Sequence, residues 1–531
     1  MKARALLGTL TLASLVLAPG AQAQAPETRV TVKDFRVTGN TLLPQSVIDA
    51  ELAPHRGQRS LAELKKAAAA VQRLYADAGY GAVIAYLPAQ NSADGIATIA
   101  VVEGRIARVI VAGNKAFDDD NVRRSLPALK TGTTPMIREL DAAIALSNEN
   151  PARQVAVTLE PGAKTGEVDA RVQVSEQEAL RLNAGLENIG NANTGRWRAN
   201  LGVMHAALWG LDHQLALQFQ TSPDHLKAVQ VLSLNYRVPF YEQGLTLDAF
   251  GAYSNVDGGT TSTAVGPLQF SGRGNVFGLR LGKPLQRWRE MQQRVGVALE
   301  HRSFLNDCSI AGLPPGVCGS AGASVAVQPL TVEYSVQRSG DLPFYANASL
   351  SSNLGLGGAN GSVADFNAVR QGATRRYSVI RGGGNVSMPI GKQWQAQLRL
   401  SAQWTPDALV TGEQFGLAGA TTLRGYEERE VTGDVGVIAS VELMGPAMAI
   451  SDALGSARLL GFVDAGKVWN RLGTPCRQLN TECPLASIGL GLRIGGQALQ
   501  LRLDVAHALR QGQRTDRGDD RVHFAATYSF R

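Results

Sequence analysis

The sequence predicts a membrane-spanning barrel of sixteen antiparallel β-strands, preceded by two small α+β modules. Three features carry that prediction. Beyond Glu178 the chain consists of alternating runs of strand length, separated by Gly, Asn and Asp. At its end, Val522, Phe524, Ala526, Tyr528 and Phe530 share one side of a two-residue alternation. Such a strand is suited to closing a barrel so that no edge stays unpaired in lipid. Before Glu178 one order of elements, strand, helix, helix, strand, strand, occurs twice.

The leader comes first. Lys2 and Arg4 precede an apolar run over 5–18, and Ala21-Gln22-Ala23 has the small-x-small form of a signal-peptidase site. Residues 1–23 are therefore expected to be a signal peptide, and 24–28 a short N-terminal segment. The run is too short to cross a bilayer as a helix. Elsewhere the chain has no long uninterrupted apolar stretch, and with a mean hydropathy of −0.06 this excludes a helical membrane protein. It does not exclude a barrel, where lipid-facing and lumen-facing residues alternate and cancel. The 58 glycines and four cysteines fit an extended, turn-rich, secreted architecture. Net charge is +7, but the arginines are spread singly through strands rather than clustered in a stripe, which argues against a nucleic-acid partner.

The first module is expected over 29–104. Residues 29–37 alternate as a strand, 44–52 read as a short helix and 60–78 as a longer one. Ser60 and Glu63 have capping-box spacing, and Leu61, Leu64, Ala68, Val71 and Tyr75 form one apolar stripe. Gly79 stops the helix, and strands follow at 81–87 and 96–103. The second module, over 105–177, repeats this with a strand at 106–112, helices at 118–126 and 135–148, and strands at 153–159 and 167–174. A matching phrase opens each: Val37-Thr38-Gly39-Asn40 and Val111-Ala112-Gly113-Asn114.

The barrel is expected over 178–531, with strands starting near 180, 195, 212, 226, 244, 273, 292, 326, 344, 376, 393, 433, 457, 486, 499 and 521. The most regular covers 393–404. There Gln395, Gln397, Arg399 and Gln403 share one face, and Trp394, Leu398, Leu400 and Trp404 the other. Tryptophans at both ends of the apolar face match the aromatic girdles of the two membrane surfaces. A later strand opposes Leu499, Leu501, Leu503 and Val505 to Gln500, Arg502 and Asp504. From the third outside loop onward, long connections alternate with short turns, as in barrels with long outside loops. Cys308 and Cys318 fall in one such loop, Cys476 and Cys483 in another. Four cysteines allow three pairings, and these positions favour Cys308 with Cys318 and Cys476 with Cys483. A zinc site competes, but no C-x-x-C pair accompanies them and an oxidising compartment favours disulfides.

Two short motifs stand out. Leu423-Arg424-Gly425-Tyr426 lies in the long loop over 406–432, and Phe462-Val463-Asp464-Ala465-Gly466 lies in the thirteenth strand. If Asp464 points into the lumen, parity turns Phe462 inward too. Arg424 can then dock on a carboxylate beside an aromatic face, with Gly425 allowing the tight turn. Arg424 and Asp464 are the expected latch pair, setting loop position more than global stability.

These residues carry a family resemblance. The repeated module resembles the polypeptide-transport-associated (POTRA) domain. Pro151, Arg153, Leu159-Glu160-Pro161-Gly162 and Gly166 are similar to the second such module of two-partner secretion transporters, of the haemolysin/haemagglutinin secretion-activation type. The two short motifs resemble the loop tip and barrel-wall motif of the same superfamily, in which the loop folds back into the barrel. The resemblance implies an outer-membrane pore with its N-terminal modules in the periplasm. It would export an unfolded partner exoprotein, of adhesin or haemolysin type, recognised by its N-terminal secretion domain, either through strand addition at an edge such as 81–87 or 153–159 or by gripping an extended segment in a helix-strand groove. It also implies contact with outer-membrane lipid, and with barrel-assembly machinery during biogenesis. Some relatives carry a plug helix ahead of the first module, for which 24–28 leaves no room, so the inserted loop is expected to close the channel.

No enzyme is expected. The sequence holds no G-x-x-x-x-G-K-[ST] phosphate loop, no G-x-S-x-G elbow and no H-E-x-x-H metal motif, so neither cofactor, metal nor catalytic residue is assigned, and export is expected to need no nucleotide hydrolysis. The alternative readings are an outer-membrane assembly or insertion factor of the same superfamily and, less well supported, a passive porin.

Overall fold

The computed structural model describes residues 29–530, except 92–93, 192–193, 228, 256–258, 264–265, 271–272, 306–319 and 321–322. The expected signal peptide, the 24–28 segment, Cys308 and Cys318 lie outside the described residues. One unit runs through Arg105 and takes in Lys164–Gly166; the other comprises Ile106–Ala163 and Glu167–Arg531.

In the first unit, strand Ile96–Glu103 lies between Asp34–Thr38, which is parallel to it, and Val83–Tyr86, which is antiparallel. Helix Leu61–Asp77 starts from a closed capping box, in which the Glu63 N–H donates to Ser60 Oγ (3.3 Å) and the Ser60 N–H to Glu63 Oε2 (2.8 Å). Its stripe buries Leu64, Ala67, Ala68, Val71 and Tyr75. Large apolar side chains so placed contribute about 1.5–3 kcal/mol each. Leu61, expected on that stripe, is instead exposed in the first turn. The expected strand over 29–37 is broken at Lys33, because the N–H groups of Lys33 and Asp34 both turn to the Gly95 carbonyl (2.7 and 3.3 Å). The freed piece, Arg29–Val32, pairs with Gly57–Ser60, a strand the alternation does not reveal.

The second module repeats the pattern, with helices Asp119–Arg124 and Ile137–Ser147 and a sheet ordered Arg105–Ala112, Glu167–Glu176, Arg153–Pro161. The matching phrases build the same turn twice. Gly39 (φ +82°) and Gly113 (φ +87°) each lie against a strand carbonyl, of Val101 and Val174, that a Cβ would strike. Asn40 and Asn114 each donate through Nδ2 to a carbonyl three residues on, of Leu43 (3.0 Å) and Phe117 (2.9 Å). A glutamate then caps the following N–H groups. Glu103 accepts from Thr41 and Leu42 (2.7 and 2.9 Å), and Glu176 from Lys115, Ala116 and Phe117 (2.9, 2.8 and 3.1 Å).

Within the second unit the module is fastened to the barrel. Arg153 reaches Asp212 in the turn between the second and third strands (2.7 Å), and the same carboxylate accepts from the Tyr241 hydroxyl (2.7 Å). Asn121 and Asn150 add bonds to the carbonyls of Gly210 and Ala206 (both 2.8 Å).

The barrel closes by pairing Leu180–Glu187 with Asp520–Phe530, from Leu182 opposite Phe530 to Glu187 opposite Ala525. Its wall has sixteen antiparallel strands, two of them interrupted. Val325–Val327 and Pro329–Arg338 both pair with Met291–Leu305, and Val435–Met444 and Met448–Ser451 both pair with Gly455–Trp469. Each expected start lies within four residues of an observed one. On strand Trp394–Trp404 the outward Trp394, Leu400 and Trp404 are about half exposed while Gln403 is buried, the inside-out pattern of a wall between lipid and a polar lumen.

Candidate functional site: the loop held inside the barrel

Residues 405–434, between strands Trp394–Trp404 and Val435–Met444, fold back onto the wall. A short hairpin pairs Phe415–Leu417 with Val431–Gly433, and Leu423, Arg424, Gly425 and Tyr426 form its tip. The tip touches Ser440, Glu442, Asp464, Ser487, Ala506 and His523. Their strand neighbours Val441, Val463, Ile488, Val505 and Val522 are exposed on the opposite face. Strand parity therefore puts the tip on the lumen side.

Arg424 is 1% exposed. Its Nε and Nη2 donate to the two oxygens of Asp464, both at 2.8 Å, and its backbone N–H donates to the same carboxylate (3.0 Å). Nη1 donates to Glu442 (2.6 Å) and lies 3.6 Å from Asp504, while Nη2 reaches Ser440 Oγ (3.2 Å). The guanidinium stands over the Phe462 ring, 3.4 Å from its centre, where the face of the aromatic attracts a cation. Two-point binding to a carboxylate fixes direction as well as distance. The Arg424–Asp464 juxtaposition expected from parity is present, with Phe462 beside it.

The remaining tip residues serve the approach. Gly425 has φ +91°, and a Cβ there would press on Ala506 and Ser487 at 3.2 and 3.3 Å; its N–H donates to His523 Nε2 (2.9 Å). The Tyr426 hydroxyl lies 2.8 Å from the carbonyls of both Ala486 and Arg510 and accepts from the Arg510 N–H (3.2 Å). Leu423 and Tyr426 join Leu417, Ile438, Val468 and Leu485 in one apolar cluster, which also contains the disulfide between Cys476 and Cys483. Gly466 lets that cluster close: a Cβ there would sit 2.8 Å from the Val437 carbonyl and inside contact distance of Leu417.

Sequence reasoning finds Arg424, Asp464 and Phe462 but not Glu442, Asp504 or His523. A signal exists for Asp504, which lies on the polar side of an alternating strand. Nothing in the alternation says which polar residue meets the tip. Arg399 pairs with Glu442 (2.6 Å) and Arg493 with Asp504 (2.8 Å), so the wall carboxylates hold arginines of their own as well as Arg424. Among the described residues no group of three or more His, Cys, Asp or Glu is arranged to hold a metal ion.

The model of the haemolysin secretion/activation protein family ShlB/FhaC/HecB matches residues 166–494, more than half of the chain. The chain belongs to that family. A ShlB-type POTRA domain model matches residues 30–104. Among curated relatives, the outer membrane transporter CdiB of Dickeya dadantii (strain 3937) is 22% identical over 83% of this chain and 76% of its own length. The heme/hemopexin transporter protein HuxB of Haemophilus influenzae (strain 86-028NP) is 20% identical over 82% and 75%. CdiB from Escherichia coli shares the fold with a TM-score of 0.77 at 18% identity, over 98% of this chain and 94% of that one. BamA from Haemophilus ducreyi lacking POTRA domains 1–3 shares it with a TM-score of 0.52 at 16% identity, over 94% and 100%. As a member of the haemolysin secretion/activation family, the chain is an outer-membrane barrel of two-partner secretion with its N-terminal modules in the periplasm, and the family is one of transporters.

Proposed function

We propose that this chain is the pore through which an unfolded partner exoprotein of adhesin or haemolysin type leaves the cell, and that the loop over 406–432 closes it at rest. The observation that carries this reading is the two-point bond from Arg424 to Asp464, which ties the tip of a long loop to the lumen side of the wall. A passive porin would leave the two N-terminal modules and the loop motif without a purpose. The relatives named hemolysin transporter, from Proteus mirabilis, and heme/hemopexin transporter support a secreted cargo.

Capture of the partner's secretion domain falls to the periplasmic modules. Val83–Tyr86 and Arg153–Pro161 are edge strands of their sheets, so each has main-chain groups that an extended segment can pair with. Transport needs no nucleotide: folding of the released chain outside opposes its return. Lipid contacts the apolar outer face, and barrel-assembly machinery inserts the chain during biogenesis.

Co-expression with candidate exoproteins in a host lacking its own such transporter, followed by assay of the medium, tests the proposal. One exoprotein is expected in the medium only when this chain is present. Absence of all candidates, alongside restored assembly of other barrels in a depleted strain, would favour the insertion-factor alternative.

A further inference from the structure

The loop carries net negative charge, and part of it is held by arginines. Residues 405–434 contain six acidic side chains, Asp407, Glu413, Glu427, Glu428, Glu430 and Asp434, against Arg424 and Arg429, a net charge of −4. Three of these carboxylates pair with arginine side chains. Glu427 pairs with Arg514 (2.9 Å) and Arg521 (3.2 Å), and Asp434 with Arg370 (2.5 Å).

Glu413 is shared between two arginines of the wall. Its side chain is 1% exposed and lies between Arg302 of strand Met291–Leu305 (2.9 Å) and Arg381 of strand Ser378–Ile390 (3.0 Å). Gln403 braces the arrangement, accepting from Arg381 Nε (2.8 Å) and donating to the Glu413 carbonyl (3.1 Å). Beside it lies a cavity of about 530 Å³, lined in part by Arg302, Arg381, Phe304, Tyr345, Asn347 and Phe415.

When the loop leaves, Arg302 keeps Glu300 (2.6 Å) as a partner, but the carboxylate shared with Arg381 is gone. Guanidinium groups in a confined, partly desolvated lumen favour a replacement anion. The strongest acceptor an extended polypeptide offers is a side-chain carboxylate, which takes charge-assisted bonds that a peptide carbonyl does not. The cavity already provides room next to both arginines.

We propose that Arg302 and Arg381 form a carboxylate-binding site on the lumen wall, filled by Glu413 while the loop is in place and by Asp or Glu side chains of the polypeptide in transit once the loop swings aside. This rests on the export reading above. The loop then acts as a stand-in for cargo, and acidic segments of the cargo compete with it for the same two guanidinium groups.

Planar-bilayer recordings on the chain lacking 411–430 test the site, because that deletion removes Glu413. A glutamate-rich peptide added on the periplasmic side is expected to block the current, and a lysine-rich peptide of equal length is not. Arg302→Gln with Arg381→Gln in the same background raises the half-blocking concentration about tenfold, as for loss of one charge-assisted bond. The single substitutions, which disturb the wall less, each give a partial rise. Heat-modifiability on gels verifies that every variant is a folded barrel. Equal block by both peptides, or an unchanged half-blocking concentration in all three variants, would overturn the proposal. No exoprotein takes part, so failure of export and failure of this site are read separately.

Discussion

Arg153 of the second periplasmic module and Asp212 of a barrel turn form an ion pair of 2.7 Å with side chains 0% and 1% exposed. Asp212 holds φ +62° to present its carboxylate, and Arg153 also stands 5.1 Å from the centre of the Phe117 ring. Removing one member of a buried pair leaves an uncompensated charge, at a cost of about 3–5 kcal/mol. Arg153→Ala or Asp212→Ala is therefore expected to loosen the module from the rim. Limited trypsin digestion should release it faster than from the unaltered chain, while the barrel stays heat-resistant on gels. Equal release rates would show that the pair does not hold the module.

At the loop tip, Arg424→Ala and Asp464→Ala should each reduce export, because the pair sets the position of the loop; Arg424→Ala, which leaves Asp464 buried without its partner, should weaken loop docking by about 3–5 kcal/mol. Both variants should keep a folded, heat-resistant barrel, because the pair positions a loop and the wall closes through its own ladders. Secretion assays beside gel mobility make the comparison. Unaltered export by both variants would remove the pair from the mechanism.

Gly466 offers a test that leaves every charge in place. Gly466→Val should push Leu417 away, because the Val437 carbonyl, 2.8 Å from where a Cβ would stand, belongs to the wall and cannot yield. The expected result is higher resting conductance from a barrel of normal gel mobility. Conductance equal to that of the unaltered pore would place the seal elsewhere in the loop. Overpacking of this kind typically costs about 1–3 kcal/mol.

The second module should depend on acid through Glu176. Burial raises its pKa, but the N–H groups of Ala116, Lys115 and Phe117 outweigh that and hold the carboxyl below its ordinary value of 4.5. A depressed carboxylate pKa gives stability that is complete above the unfolded value and disappears as pH falls through the folded one. Exchange at the amides of Lys115, Ala116 and Phe117, corrected for intrinsic rates, should therefore be slow at neutral pH and accelerate in acid below 4.5. Glu176→Gln should abolish that pH dependence and destabilise the turn by about 1.5–3 kcal/mol, the range for bonds to a charged group. A pH profile unchanged by the substitution would mean that another group caps these amides.

Strand number and order are legible in the sequence because side-chain parity survives in wall strands such as Gln230–Phe240, Leu245–Ser254 and Leu499–Ala508. Helix Leu61–Asp77 is legible for a local reason, its Ser60–Glu63 box. The break at Lys33 is not, because it depends on the Gly95 carbonyl, sixty-two residues away in the chain. The same holds for the tip. Asp464 is found through its motif, whereas Glu442 and His523 join Arg424 and Gly425 only through the registers that stack neighbouring strands. Arg153 is conspicuous as a motif residue, but its partner Asp212 lies in a turn with no signature of its own.

The outward tryptophans of strand Trp394–Trp404 also set a length. Ten residue steps separate them, a rise of about 33 Å along the strand, which a tilt of about 40° projects to about 25 Å across the membrane. That span is shorter than the roughly 30 Å hydrocarbon layer of an average bilayer. Reconstitution in short-chain lipid should therefore leave the indole rings level with the headgroups. Long-chain lipid would have to thin around the protein, at fractions of a kcal/mol for each ångström of mismatch.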